Sequence, residues 1–234
     1  MIAGKETDIQ RIAQTLSDVW DLLSEEQQQL LVDRTLIERV EKNEVIYREG
    51  DTPTHLYCIV KGKVKIYKEG VGGRQQIVRL AKPKDFFGYR ASFANQDYLT
   101  EAGAFEESTI LCIPLKVAKW IITRNHAVAI YFLQQLAAYL GNANEQTVSL
   151  TQKHIRGRLA ESLIRLKESF GLNEDGQTLA IAASREDLAN LANMTTSNAI
   201  RTLSAFAQEG LVKIEGRKIS ILDEAKLKTI SENG

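Results

Sequence analysis

Thr196, Ser197 and Arg201 combine residue types and spacing that suit molecular recognition. Arg201 falls four residues after Ser197, so in a helix its guanidinium shares a face with the hydroxyls. An arginine fork can grip two acceptors on a guanine edge, while Thr or Ser can donate, accept or touch a thymine methyl. That chemistry needs a helix held by its other side. The surrounding stretch, SREDLANLANMTTSNAIRTLSAFAQEG over residues 184–210, supplies one. Ser184 with Asp187 three residues on predicts a capping-box start to a first helix. Leu188, Leu191 and Ala192 give that helix an inner face, and Ala189 is small where a second helix must cross. Asn193 falls at the turn, where it tolerates a left-handed backbone, and Met194 plugs the corner. Thr195 caps the second helix, whose inner side is Ala199, Leu203 and Phe206 and whose stop is Gly210. Its outward face then shows Thr196, Ser197, Ile200 and Arg201. A helical hairpin with a solvated polar face has the same local pattern. The adjoining segment tips the balance toward DNA: LVKIEGRKISIL reads as a hairpin with Glu215-Gly216 at its turn, carrying Lys213, Arg217 and Lys218.

Charge argues in the other direction. Residues 151–234 hold 12 Lys+Arg against 11 Asp+Glu, a net of only +1. Affinity for a polyanion must therefore come from local placement and from binding as a dimer. The whole chain carries 30 basic and 30 acidic residues, which excludes a general nucleic-acid glue or a polybasic membrane binder.

The 234 residues fit two domains or one large β-rich one. At 44% hydrophobic and 26% charged, the composition excludes wholesale disorder. No apolar run approaches the roughly 18 residues of a membrane span. The opening MIAGKETDIQRIAQ mixes charges without an apolar core, so no secretory signal is expected. Cys58 and Cys112, inside LYCIV and TILCIP, read as small core residues in a reducing cytoplasm.

Periodicity divides the chain into three. Residues 16–40 read as helical, with Leu16, Val19, Trp20, Leu23, Leu30, Leu31 and Val32 apolar and a second helix beginning at the Ser24/Gln27 capping box. From about 44 to 114 short alternating runs (EVIYR, HLYCIV, KVKIYK, QQIVRL, STILCI) predict a small antiparallel sandwich or roll. After Pro114 the period is helical, and the helix over about 126–150 carries two apolar seams. One is Ile130, Leu133, Ala137 and Leu140; the other is Ala129, Phe132, Leu136 and Tyr139. A helix apolar on two faces must bury both, one on its own roll and the other most simply on the same helix of a second chain, the alternative being the central helix of a monomer. The candidate interface is Ile130, Leu133, Leu136, Ala137 and Leu140. Gly141 interrupts this helix at about 1 kcal/mol relative to Ala. The expected organisation is an α+β chain: residues 1–150 form an effector domain ending in the long helix, and 151–234 a winged helix-turn-helix.

Three pieces in this order, YREGDTPTHLYCIVKGKVKIYK, DFFGYRASFANQDYL and the 184–222 stretch, resemble the Crp/Fnr superfamily of bacterial transcription regulators. The resemblance runs from about Trp20 to Leu222. It implies an N-terminal cyclic-nucleotide-binding-like β-roll that senses a signal, a homodimer, and winged helices that read a two-fold-related operator. Thr196, Ser197 and Arg201 then fall where family members touch bases, with Asn198 beside them. The DNA-contacting set is completed by Ser184, Arg185 and Thr195 at the helix starts and by Lys213, Arg217 and Lys218 on the wing. The effector cassette supplies Gly88, Tyr89, Arg90, Tyr98 and Thr100. Cyclic-AMP-responsive members carry a Glu for the ribose and an Arg for the cyclic phosphate, and here Tyr89 and Tyr98 replace them. Arg90 serves either a different anion or the surface. Two strand-interior cysteines cannot ligate an iron–sulfur cluster. Isolated His55, His126 and His154 give haem no specific ligand. No cofactor or metal is expected.

Two other functions compete. A cupin-type metal enzyme needs His-x-His converging with a Glu, which is absent, as are phosphate loops and nucleophile elbows, so no enzyme is expected. A small-molecule sensor acting through protein partners would not shift palindromic DNA. Double-stranded DNA, a second copy of the chain and RNA polymerase are the expected partners, with no membrane.

Overall fold

The computed structural model describes residues 11–233; most of the opening stretch in which no secretory signal is expected, residues 1–10, lies outside the described residues. Residues 11–15 are helical, and helices α1 (Ser17–Trp20) and α2 (Glu25–Arg34) follow. The Ser24 capping box is present, with Gln27 N–H donating to Ser24 Oγ at 3.3 Å and Ser24 N–H to Gln27 Oε1 at 3.1 Å. The expectation of helix to residue 40 is corrected: Leu36–Val40 is strand β1, antiparallel to β8 (Ser108–Pro114), with Leu36 opposite Cys112. Thr35, Ile37 and Val40 are β-branched, which costs side-chain freedom in a helix and suits a paired strand.

Two four-stranded sheets follow. One runs β1-β8-β3-β6, with β3 at His55–Lys61 and β6 at Phe86–Phe87. The other runs β2-β7-β4-β5, with β2 at Val45–Tyr47, β4 at Val64–Glu69, β5 at Gln75–Ala81 and β7 at Glu101–Ala104. Strand β3 is buried on both faces, so its two side-chain sets serve different cores. Tyr57 and Ile59 join Val64, Ile66, Phe87 and Ala102 in one cluster. Leu56 and Cys58 join Phe86, Leu111 and Ile113 in another, which also takes in Leu16, Val19 and Leu31 from the N-terminal helical region. Burial pushes the Cys58 thiol up, and Cys112 to about 12, so both stay protonated.

Helix α3 (Tyr89–Phe93) leads out of β6, and α4 (Leu115–Arg124) out of β8. The long helix α5 (His126–Gln152) lays Val128 and Phe132 into the second cluster, with Leu136 partly buried beside them. Phe132 meets Phe86 and Tyr89 edge-on, each at 5.2 Å between ring centroids. Ile130, Leu133 and Leu140 face outward at 51%, 61% and 61% exposure. Leu136 therefore sides with Phe132 and the roll rather than with the outward residues it was grouped with as an interface. The cause is spacing: it lies four residues after Phe132.

Among the described residues, contacts separate two compact units, 11–68 with Val78–Leu140, and Glu69–Ile77 with 141–233. In the second, α6 (Ile155–Phe170) buries Leu159, Leu163 and Leu166 under α7 (Arg185–Leu191) and α8 (Thr196–Gln208). Strands β9 (Val212–Glu215) and β10 (Lys218–Ile221) pair antiparallel, so Glu215 ends its strand and Gly216-Arg217 makes the turn. A last helix, α9 (Glu224–Glu232), unread in the sequence, packs along α6 through a Lys167–Glu224 ion pair and buried Leu227.

Candidate functional site

The α7–turn–α8 unit is fixed at every junction. Ser184 Oγ accepts from Asp187 N–H at 3.0 Å, and Asp187 Oδ2 accepts from Ser184 N–H at 2.9 Å, closing a capping box at α7. Asn193 takes a left-handed backbone, φ 49°, and Met194 is buried behind it. Thr195 Oγ1 accepts from Asn198 N–H at 3.2 Å and starts α8. Ala199, Leu203 and Phe206 are fully buried. At the far end Leu211 N–H reaches Phe206 O at 2.9 Å and Gly210 N–H reaches Ala207 O at 3.1 Å. This double closure needs a positive φ at Gly210, here 71°.

One tie was not legible in the sequence. Arg158 on α6 donates from Nε to Ala192 O at 2.9 Å and from Nη2 to Asn193 O at 3.1 Å, clamping the turn. Nη1 donates to Lys153 O at 3.1 Å. Arg158→Ala is expected to cost about 2–3 kcal/mol, since each lost bond has a charged donor and leaves carbonyls unpaired. Urea unfolding reads the loss directly, and an unchanged midpoint would show that the clamp contributes nothing.

With its inner side fixed, α8 presents an exposed face. Thr196, Ser197 and Arg201 all lie on it, exposed, in the predicted register. Ile200 is 46% exposed among them. Arg201 Nη2 donates to Asn198 Oδ1, so half-buried Asn198 holds the guanidinium in place. Arg185 donates from Nη2 to Gly216 O at 3.0 Å and so braces the wing turn. Arg217 and Lys218 are exposed on that wing. Lys213 pairs with Glu215 at 2.7 Å, which raises the ammonium pKa and lowers that of the carboxyl; both groups are well exposed, so the pair is weak. Ser184 and Thr195 spend their hydroxyls on caps.

In the roll, Gly88, Tyr89, Arg90, Tyr98 and Thr100 all line one cleft of about 500 Å³, open to solvent. Gly88 has φ 83°, and a Cβ there would lie 2.7 Å from the Tyr57 ring, so only glycine fits. Tyr89 is 6% exposed against Phe132. Tyr98 stacks on Tyr47 at 3.7 Å and 12°. Desolvation raises the phenol pKa of Tyr98 strongly and of Tyr47 to about 12, so both are neutral donors. Arg79, Leu136 and Tyr139 also line the cleft and were not picked out from sequence, because they come from β5 and α5.

A β-roll with a lined cleft and a winged helix-turn-helix with a clear outward face define a ligand-sensing, DNA-reading class of protein. Residues 37–125 match the family model of the cyclic nucleotide-binding domain, and residues 157–230 that of the Crp-like helix-turn-helix domain. The chain belongs to the Crp/Fnr superfamily and is a DNA-binding transcription regulator of that type. It is 25% identical over 187 residues to the CRP-like cAMP-activated global transcriptional regulator of Mycobacterium tuberculosis, covering 80% of this chain and 84% of that one. It is also 25% identical to the anaerobic regulatory protein of Bacillus subtilis, covering 83% of each. In structure it is similar to FixK2 from Bradyrhizobium japonicum, with a TM-score of 0.76, 23% identity and coverage of 84% and 96%. Among the described residues no helix is long and apolar enough to cross a membrane.

Proposed function

We propose that the protein works as a homodimer on a two-fold-related operator, with Arg201 reading a base and the wing holding phosphate. The observation that carries this is the α8 face: Arg201, Thr196 and Ser197 are exposed together on a helix locked at both ends. The outward seam of Ile130, Leu133 and Leu140 supplies the pairing surface. A two-fold dimer sets its recognition helices about 34 Å apart, so the half-sites lie one helical turn apart. The protein is a cytoplasmic regulator rather than an enzyme, carries no iron–sulfur cluster or haem, and acts with RNA polymerase. Two buried strand cysteines support the absence of a cluster.

The roll responds to something other than cyclic AMP. The positions that would hold ribose and cyclic phosphate carry Tyr89, buried against Phe132, and Tyr98, stacked on Tyr47.

Binding-site selection with the full-length protein tests the reading. A two-fold consensus with that half-site spacing is expected, and an unordered or single-site consensus would overturn it. The wing gives a second test. Arg217 is exposed at the hairpin turn, where a cation meets the backbone of an adjacent groove. Arg217→Ala is expected to weaken all sequences alike and to flatten the salt dependence by about one unit per half-site. A changed base preference would instead make Arg217 a reader.

A further inference from the structure

We infer that the roll cleft binds a small organic carboxylate with a flat apolar body. This rests on reading the roll as the sensing unit. Three observations converge. First, none of the cleft's lining side chains is acidic, while Arg79 and Arg90 both line it. Arg79 is held there by Phe86 O at 3.1 Å and Asp85 at 3.4 Å, and stands 5.9 Å from the Tyr139 ring. Arg90 is exposed at the rim.

Second, Tyr98 is buried, at 4% exposure, and its hydroxyl has no hydrogen-bond partner among the described residues. It lies 3.3 Å from where a Gly88 Cβ would stand, on the wall of the same cleft. A buried phenol proton without an acceptor is costly, and an anionic oxygen brought within reach of it would relieve that cost. Third, beside the Thr100 hydroxyl, much of the remaining wall is apolar or aromatic: Ile66, Phe87, Ala91, Leu136 and the Tyr139 ring. A planar carboxylate matches the arginine fork, and a flat body suits ring-lined walls. Leu136 and Tyr139 belong to α5, so an occupant touches the helix that carries the outward seam.

The test is calorimetric titration of the full-length protein with phenylacetate, phenylacetamide, phenyl phosphate and cyclic AMP. Phenylacetate is expected to bind with a dissociation constant below about 1 mM. Phenylacetamide should bind at least about tenfold more weakly, because it lacks the charge. Arg90→Ala and Tyr98→Phe should each weaken phenylacetate by about tenfold or more. Without ligand, Tyr98→Phe should melt no lower than the parent, because it removes an unpaired buried hydroxyl. A lower melting temperature would mean the hydroxyl has an internal partner, and the proposed donor would be lost. The inference is overturned if phenylacetate gives no heat, if the amide binds equally, or if neither variant weakens binding. Tighter binding of phenyl phosphate or micromolar binding of cyclic AMP would overturn it as well. Operator affinity, measured with and without phenylacetate, separates the two readings. Binding that leaves operator affinity unchanged supports the site and removes its sensing role.

Discussion

Leu133→Glu combined with Leu140→Glu is expected to leave a folded monomer whose operator affinity falls by about 10²–10⁴-fold. The fold should survive because both side chains are 61% exposed in the single chain and touch neither roll cluster. The dimer should not survive. Each leucine buried at an interface contributes about 1.5–3 kcal/mol, and a carboxylate in its place must be desolvated against its symmetry mate. The loss on DNA is larger than the loss of contacts implies. Two linked readers bind with an effective local concentration in the millimolar range, and separated readers do not. Leu136→Glu is the informative control. Leu136 packs beside Phe132 on the roll and lines the cleft, so its substitution should lower the melting temperature rather than only split the dimer. Light scattering beside circular dichroism reads both properties. If the double variant stays dimeric and folded, the subunits meet somewhere else.

The parts of this molecule legible in sequence are those governed by local rules. Capping residues act within one turn, so Ser24, Ser184 and Thr195 announced their helices, and Asn193 announced the left-handed corner between α7 and α8. Strands β2 to β5 and β8 alternate over enough residues to be read. Strands β6 and β7, FF and EAGA, offer no alternation at all. The misread β1 shows the same limit from the other side. LIERV is short enough to suit either state, and only its pairing with β8, some 70 residues away, settles it. The site residues divide the same way. Arg201 was visible through its register with Ser197, whereas its hydrogen bond to Asn198 requires rotamers that no pattern supplies. Arg158 and Arg79 look like any other arginines until the fold brings the turn carbonyls, or the cleft, to them.

Arg201→Ala is expected to cost about 1–3 kcal/mol per half-site, and to relax preference at one symmetric base pair rather than at all of them. The guanidinium is exposed on α8, four residues after Ser197, and anchored by Asn198 Oδ1, so its fork is oriented before DNA arrives. Orientation is what separates a reader from a phosphate clamp. A fork fixed to the helix face is expected to reach the groove floor, whereas the exposed wing cation at Arg217 is expected to follow the backbone. Arg201→Lys should therefore recover little, because an ammonium restores the charge without the two-point grip. Asn198→Ala should cost less than Arg201→Ala and at the same base pair, since it frees the fork without removing it. Because a dimer uses the residue twice, the loss for the whole operator is roughly the square of the half-site factor. Binding-site selection on the parent and the three variants, together with salt titration, checks each step. Were Arg201→Ala to lose affinity evenly across sequences while flattening the salt slope, Arg201 would be holding phosphate, and the reading would fall to Thr196 and Ser197.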